Sequence, residues 1–278
     1  MNLCPEDGRP VQAVYDTDAI KASQWYDLER PNMWRFAGIL PLAEGFVSLG
    51  EGHTALLDYN DHPLAKSQGF SLFIKDEGKG HPGFSQNPTL SFKDRGMAVV
   101  ANMAKHFGLT QLVVPTQGNA GDSLACYANQ LGLGATIIMP DDTPMPIQGS
   151  VAALAFKNPD INLDMVSGTI KEAGALMKAK YLPQGFFNVA TFQEPGWRIE
   201  GKKTMGLELA EPNLMSQHWQ LPDVILYPTG GGTGILGMWK AFDELQALGM
   251  IDAHRPRVVA VQSAATPPVA EAIAHHSL

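Results

Sequence analysis

Four short apolar runs punctuate the chain: "QLVVP" (111–115), "ATIIMP" (135–140), "PDVILYP" (222–228) and "RVVAVQS" (257–263). Between them lie longer stretches of helical character, among them "GMAVVANMAKHFG" (96–108), "DSLACYANQLG" (122–132) and "EGKKTMGLELAE" (200–211). Apolar runs this short read as strands, and their alternation with helices predicts βαβ units. The expected fold class is α/β, with mainly parallel open sheets covered by helices on both faces. No internal repeat interrupts this rhythm, which argues against a solenoid. Three of the four runs end near Pro or Gly. Open parallel sheets hold ligands beyond the carboxyl ends of their strands, so the loops after residues 114 and 227 are where chemistry is expected.

The first loop, "VVPTQGNAGDSLACYA" (113–128), runs from strand through Thr116-Gln117-Gly118-Asn119-Ala120-Gly121 into helix. Such a loop turns free backbone N–H groups and a positive helix end toward whatever lies above it, which suits a carboxylate. An ordinary turn with Asn119 in a left-handed conformation fits the same residues. The second loop, "YPTGGGTGILGMWKAF" (227–242), places Gly230, Gly231, Gly232 and Gly234 around Thr233. Four glycines in five positions cost backbone entropy, which is most easily understood if the main chain must approach a guest closely. A phosphate monoester is the natural guest, although neither the nucleoside-triphosphate loop nor the dinucleotide Gly-x-Gly-x-x-Gly spacing is met. Upstream, "PTLSFKDRG" (88–96) sets Lys93 at a predicted helix start, with Ser91 able to cap and Phe92 expected to pack inward. A lysine at a positive helix end favours its neutral amine, the form that adds to aldehydes. One lysine, one amide-bearing carboxylate loop and one glycine cradle for phosphate together describe a pocket for pyridoxal 5'-phosphate.

Composition narrows the partners. With 20 Lys+Arg against 28 Asp+Glu, the chain carries a net charge of −8, which argues against nucleic acid and anionic membrane surfaces and favours a small-molecule ligand. Only Cys4 and Cys126 occur, so no disulfide framework is expected and a reducing compartment fits. The polar start and the lack of any membrane-length apolar run lead us to expect a soluble, cytoplasmic protein of 278 residues, large enough for two lobes. "CPEDG" (4–8) offers one thiolate and a carboxylate, too few for zinc, and no metal is expected. Cys126 reads as core, His275 and His276 as solvent-exposed, Lys202 and Lys203 as surface charges, Arg198 and Glu200 as a structural pair, and the five tryptophans as packing residues.

Five segments, "SLGEGHTALL" (48–57), "NPTLSFKDRG" (87–96), "QGNAGDSLACYANQLG" (117–132), "RIEGKKT" (198–204) and "PTGGGTGILGMWKAF" (228–242), resemble threonine synthase and its relatives in order and approximate spacing. These are the fold type II pyridoxal-phosphate enzymes, with the tryptophan synthase beta-like architecture. The resemblance implies a large lobe from residues 1–90 and 186–278 and a small mobile lobe from residues 91–185, with the cofactor between them, in a homodimer. It implies that Lys93 is the catalytic residue and bonds the cofactor covalently, that Asn119 meets the cofactor's ring hydroxyl, and that Gly230, Gly231, Gly232, Thr233 and Gly234 hold its phosphate. Ser91, Thr116, Gln117, Gly118 and Ala120 fall where relatives hold the substrate carboxylate or leaving group. Arg95 is either a substrate anion ligand or a salt bridge fixing its helix. The implied reaction is conversion of O-phospho-L-homoserine and water to L-threonine and phosphate. The alternatives are a β-eliminating ammonia-lyase acting on threonine, serine or diaminopropionate, and a cofactor-binding remnant without turnover.

Four departures from the family pattern stand out. Asp122 takes a place usually small or hydroxylated, and facing the pocket it would repel a substrate phosphate. Leu90 replaces the glycine common before the Ser-Phe-Lys core. "DEGKGHPGFSQNPT" (76–89) is longer than the usual connection and reads as a lid or a tolerated insertion. Relatives also continue past the last residue here, through the segment that meets the pyridine nitrogen, so the resemblance implies a shortened version whose apolar sheet edge is left to a partner chain.

Overall fold

The computed structural model describes residues 3–190 and 196–275. After a short helix α1 (Thr17–Lys21) and a 3₁₀ segment (Met33–Ile39), strands β1 (Leu56–Asp58) and β2 (Phe73–Lys75) pair antiparallel around helix α2 (Pro63–Gln68). The chain then alternates: α3 (Lys93–His106), β3 (Gln111–Pro115), α4 (Asn119–Leu131), β4 (Gly134–Pro140), α5 (Met145–Lys157), β5 (Ile161–Val166), α6 (Ile170–Leu176), β6 (Phe187–Asn188), α7 (Gly196–Ala210), β7 (Val224–Pro228), α8 (Thr233–Ala247), β8 (Arg257–Val261) and α9 (Pro268–Ala274). Each of the four apolar runs is a strand. One parallel sheet has the order β5-β4-β3-β6, and β7 pairs parallel with β8.

Alternation along β3 and β4 gives the first sheet its two layers. Leu112, Val114, Ala135, Ile137 and Met139 pack toward α3 and α4, whereas Val113 and Ile138 meet Ala173, Met177 and Tyr181 on the opposite face. A second core joins Trp25, Phe36 and Ile39 of the amino-terminal segment to α7, β7 and α8 through Met205, Ile225 and Phe242. The chain between β2 and α3 is tied down at both ends, since Glu77 bonds Arg95 and Asn87 bonds Glu77.

Helix α7 is buried along its length, Trp197 excepted, and packs against both α3 and α8. Glycine makes this possible. A methyl group at Gly201 would lie 2.0 Å from the Arg95 carbonyl oxygen, and one at Gly237 would lie 2.9 Å from the Lys203 nitrogen, so backbone meets backbone on both sides. Lys202 and Lys203 are therefore not surface charges: they are 1% and 0% exposed. The Lys203 ammonium lies 2.6 Å from Glu200, 2.8 Å from Glu244 and 2.6 Å from the Ile39 carbonyl oxygen. Glu200 also takes Lys240 at 3.0 Å and the Tyr15 hydroxyl at 2.6 Å, so its partners are lysines and a phenol, while Arg198 donates to the Val189 carbonyl oxygen at 2.6 Å. The expected pairing of Arg198 with Glu200 is replaced by these contacts.

Arg95 is a structural cation. Its guanidinium, fully buried, reaches both oxygens of Glu208 (2.6 and 2.9 Å) and both of Glu77 (2.8 and 2.8 Å), and Lys75 meets Glu208 at 2.7 Å. Burial alone would raise the Glu208 carboxyl, but Arg95 and then Lys75 outweigh it and hold it far below the usual carboxylate range. Glu211, one turn beyond Glu208, goes the other way: burial, then the Glu208 charge, push it up to about 8.

Two outcomes are expected. Gly201→Ala should lower stability by about 1–3 kcal/mol, read from the urea midpoint, because neither backbone can withdraw. Since the Glu211 carboxyl is raised from 4.5 to about 8, its contribution to stability is complete below about pH 4.5 and is lost as pH rises toward about 8. Glu211→Gln should flatten that decline in urea titrations across this range.

Candidate active site

Lys93 is the first residue of α3. Its backbone N–H donates to the Ser91 hydroxyl at 3.3 Å, but the cap position is taken by Phe92, which makes no side-chain capping bond, so the expected Ser91 cap is not formed. The Lys93 ammonium lies over the Phe92 ring, 3.9 Å from its centroid. Asp94 turns inward and accepts from the Thr89 N–H (2.8 Å) and hydroxyl (2.9 Å); burial pushes its carboxyl up to about 6. Leu90 adopts φ +58°, the left-handed conformation in which glycine is the low-cost residue.

The glycine loop joins β7 to α8. Gly232 has φ +78°, and its N–H donates to the Thr229 hydroxyl at 3.1 Å; Gln262 holds the Gly230 carbonyl oxygen at 3.1 Å. Thr233 opens α8, and its hydroxyl accepts from the Lys202 ammonium. One cavity brings this loop and the lysine together: its lining includes Lys93 with Phe92, Thr229 to Gly234, Tyr227, Arg198 and Lys202. Ser91 and the Thr116–Ala120 loop are not among its lining residues. Asn119 is exposed at the first position of α4, with Gly118 as its cap. The Thr116 hydroxyl bridges the N–H and carbonyl of Gly118, and the Gln117 amide donates to Asp142 at 2.9 Å. Ala120 is buried beside them. Asp122 accepts from the Ser150 hydroxyl of α5 at 2.5 Å.

Three residues of the lining escaped sequence reasoning. Lys202 looks like a solvated charge in its own segment. Arg198 offers no local sign of its place. Tyr227 could have been noticed, because it stands at the carboxyl end of a strand immediately before the glycine loop. Its hydroxyl is buried without a hydrogen-bond partner among the described residues, and burial, then the Glu77 charge, push its phenol upward, so it remains a proton donor.

A family model described as pyridoxal-phosphate dependent enzyme matches residues 47–277. The chain belongs to that family. Among its relatives, the threonine synthase of Methanosarcina acetivorans is 28% identical over 95% of this chain and 60% of its own length. That of Methanocaldococcus jannaschii is 30% identical over 96% of this chain and 62% of its own. The chain thus spans about three fifths of these relatives. Threonine deaminase isoform 2 of Solanum lycopersicum superposes with a TM-score of 0.63 at 20% identity, over 96% of this chain and 62% of that one, a likeness of fold. The fold type II architecture expected from the sequence is thereby shown.

The cavity fits the family's cofactor. Methyl groups at Gly230 or Gly232 would meet nothing within 4 Å, so that stretch of main chain is bare, and the Tyr227 hydroxyl awaits a polar partner. Among the described residues the lining holds three cations and no carboxylate. An aldehyde-bearing phosphate monoester would find the Lys93 amine and the glycine loop in one lining.

Tyr227→Phe removes a buried hydroxyl that lacks a partner, so stability of the cofactor-free protein should be unchanged or slightly higher. Cofactor affinity should fall about five-fold, the worth of one ordinary hydrogen bond, in an absorbance titration.

Proposed function

We propose that the chain acts as a pyridoxal-phosphate-dependent lyase on O-phospho-L-homoserine, with water added and phosphate released to give L-threonine. The observation that carries this reading is the single cavity lined by Lys93 and the Gly230–Gly234 cradle, in a chain 28–30% identical to threonine synthases over nearly its whole length. When bound, the cofactor supplies an electron sink for a carbanion at the substrate's α-carbon.

The protein residues do the rest. Lys93 Nζ would hold the cofactor's aldehyde and, when free, would serve as the general base for the α-proton. The glycine loop Gly230 to Gly234 with the Thr233 hydroxyl would hold the phosphate at the amino end of α8. Asn119, and Ser91 with Thr116, Gln117, Gly118 and Ala120, lie outside the cavity lining and would serve the cofactor ring and the substrate carboxylate only on closure of the lobes. The ion pair of Arg95 removes it from the list of substrate ligands. The Asp122 contact with Ser150 gives that carboxylate a partner on α5, which lightens the objection to a phosphorylated substrate. We assign residues 1–90 and 186–278 to the large lobe and 91–185 to the small one, closing over substrate in a cytoplasmic homodimer, with the exception of β6 (Phe187–Asn188), which pairs with β3 in the small lobe's sheet. By packing, α3 touches both groups, through α4 on one side and α7 on the other. No described helix is long and apolar enough to cross a membrane.

Purified protein incubated with O-phospho-L-homoserine should release inorganic phosphate and threonine. Formation of a 2-oxo acid from threonine or serine, with no phosphate from phosphohomoserine, would assign an ammonia-lyase instead. Cofactor absorbance without turnover of any of these amino acids would assign a binding protein. Lys93→Ala should abolish the absorbance of the lysine-bound cofactor and lower turnover by about 10³-fold or more.

A further inference from the structure

Two adjacent lysines of α7 have opposite fates. Lys203 is engaged by Glu200, Glu244 and the Ile39 carbonyl oxygen, within the core that binds the amino-terminal segment. Lys202, one residue earlier and turned by a helical step, passes beside α3 to line the cavity; a methyl group at Gly96 would sit 3.5 Å from its Cε. Its ammonium, on a side chain 1% exposed, donates to the hydroxyl of Thr233, the residue that opens α8 behind the glycine loop. In a chain of net charge −8, this lining carries three basic side chains and no carboxylate.

We propose that Lys202 is a charge partner of the cofactor phosphate and sets the protein's preference for the phosphorylated over the dephosphorylated aldehyde. The inference rests on the cofactor reading above and adds to it a residue outside the glycine loop. Main-chain N–H groups and a helix end offer partial charges, which bind an anion without demanding two negative charges. A full ammonium in a closed site discriminates more sharply, because its attraction grows with each charge on the guest and is little screened by salt. Thr233 couples the two parts: the hydroxyl that accepts from Lys202 belongs to the glycine loop itself, so the ammonium is held at that loop. Arg198, one turn earlier on the same cavity-facing side of α7, is held by the Val189 carbonyl oxygen. Lys202 is the cation the cradle addresses directly.

The test compares pyridoxal 5'-phosphate with pyridoxal. Both are titrated into cofactor-free wild-type, Lys202→Gln and Lys202→Arg proteins while the absorbance of the lysine-bound aldehyde is followed. In Lys202→Gln the affinity ratio of the two aldehydes should fall at least ten-fold, with pyridoxal affinity unchanged; Lys202→Arg should keep the ratio within a few-fold. An unchanged ratio in Lys202→Gln overturns the proposal. Pyridoxal uptake reports folding of the same variant. Should Lys202→Gln not fold, the phosphorus resonance of the cofactor on wild-type protein decides. A dianion fixed by Lys202 gives a shift independent of pH between about 5 and 8, and a shift titrating near pH 6, as for free phosphate monoesters, overturns the proposal. If wild-type protein takes up neither aldehyde, the cofactor reading itself has failed, which is a different result from an unchanged ratio.

Discussion

The near-contact of three helix backbones is the constraint on which this structure rests. Lys93 begins α3 and the glycine loop ends at the start of α8, yet the two helices lie more than a hundred residues apart in the chain. What brings their amino ends to one cavity is α7 between them, close enough to α3 at Gly201 and to α8 at Gly237 that side chains are excluded from both seams. Interiors are packed as densely as molecular crystals, so a seam made of main chain fixes a distance more tightly than one made of adaptable side chains. The position of the Lys93 amine relative to the glycine loop is set there, far from either group's own segment.

Charge gives the second level of order. Arg95, two residues after Lys93, is clamped by Glu77 from the long connection and Glu208 from α7, and Glu208 also receives the N–H groups of His53 and Thr54. Four separate parts of the chain thus meet at one guanidinium. Buried ion pairs add little net stability compared with well-packed apolar residues, but removing one member leaves a charge stranded, and such networks specify a unique arrangement when every member is satisfied. The long connection is held at its base by this network, whatever its tip does. The same logic governs Lys203, Lys240, Glu200 and Glu244, which lock α7 to α8 with Tyr15 laid across both ammonium groups.

Much of this was legible in the sequence because it is local. Apolar runs such as "QLVVP" have no alternative but a buried strand, and β3, β4, β7 and β8 fall where those runs lie. Lys93 and the glycine loop were legible for the same reason: a helix start and a bare turn are each spelled by neighbours, although the cap position fell to Phe92 rather than Ser91. The two- and three-residue strands β1, β2 and β6 were not, being too short to show a period. Least legible were the charges of α7. "RIEGKKT" has the composition of a solvated helix, and its burial depends on partners at residues 15, 39, 240 and 244, which no window of sequence contains. Lys202 differs from Lys203 only in which way the helix turns it, and that orientation has meaning only once α3 and α8 are in place.

Leu90 carries a last consequence. Its backbone is held at φ +58°, against the preference of a branched side chain, and what holds it is the stretch on either side, where Thr89 is tethered through its N–H and hydroxyl to Asp94. Burial raises that carboxyl to about 6, so the closed turn takes up a proton more readily than an opened, solvated one would. Strained backbone released from its anchor relaxes locally, well before the hydrophobic core feels any change. The peptide leading into Lys93 is therefore held more firmly in mild acid than above about pH 6, while the sheets behind it are indifferent to that proton.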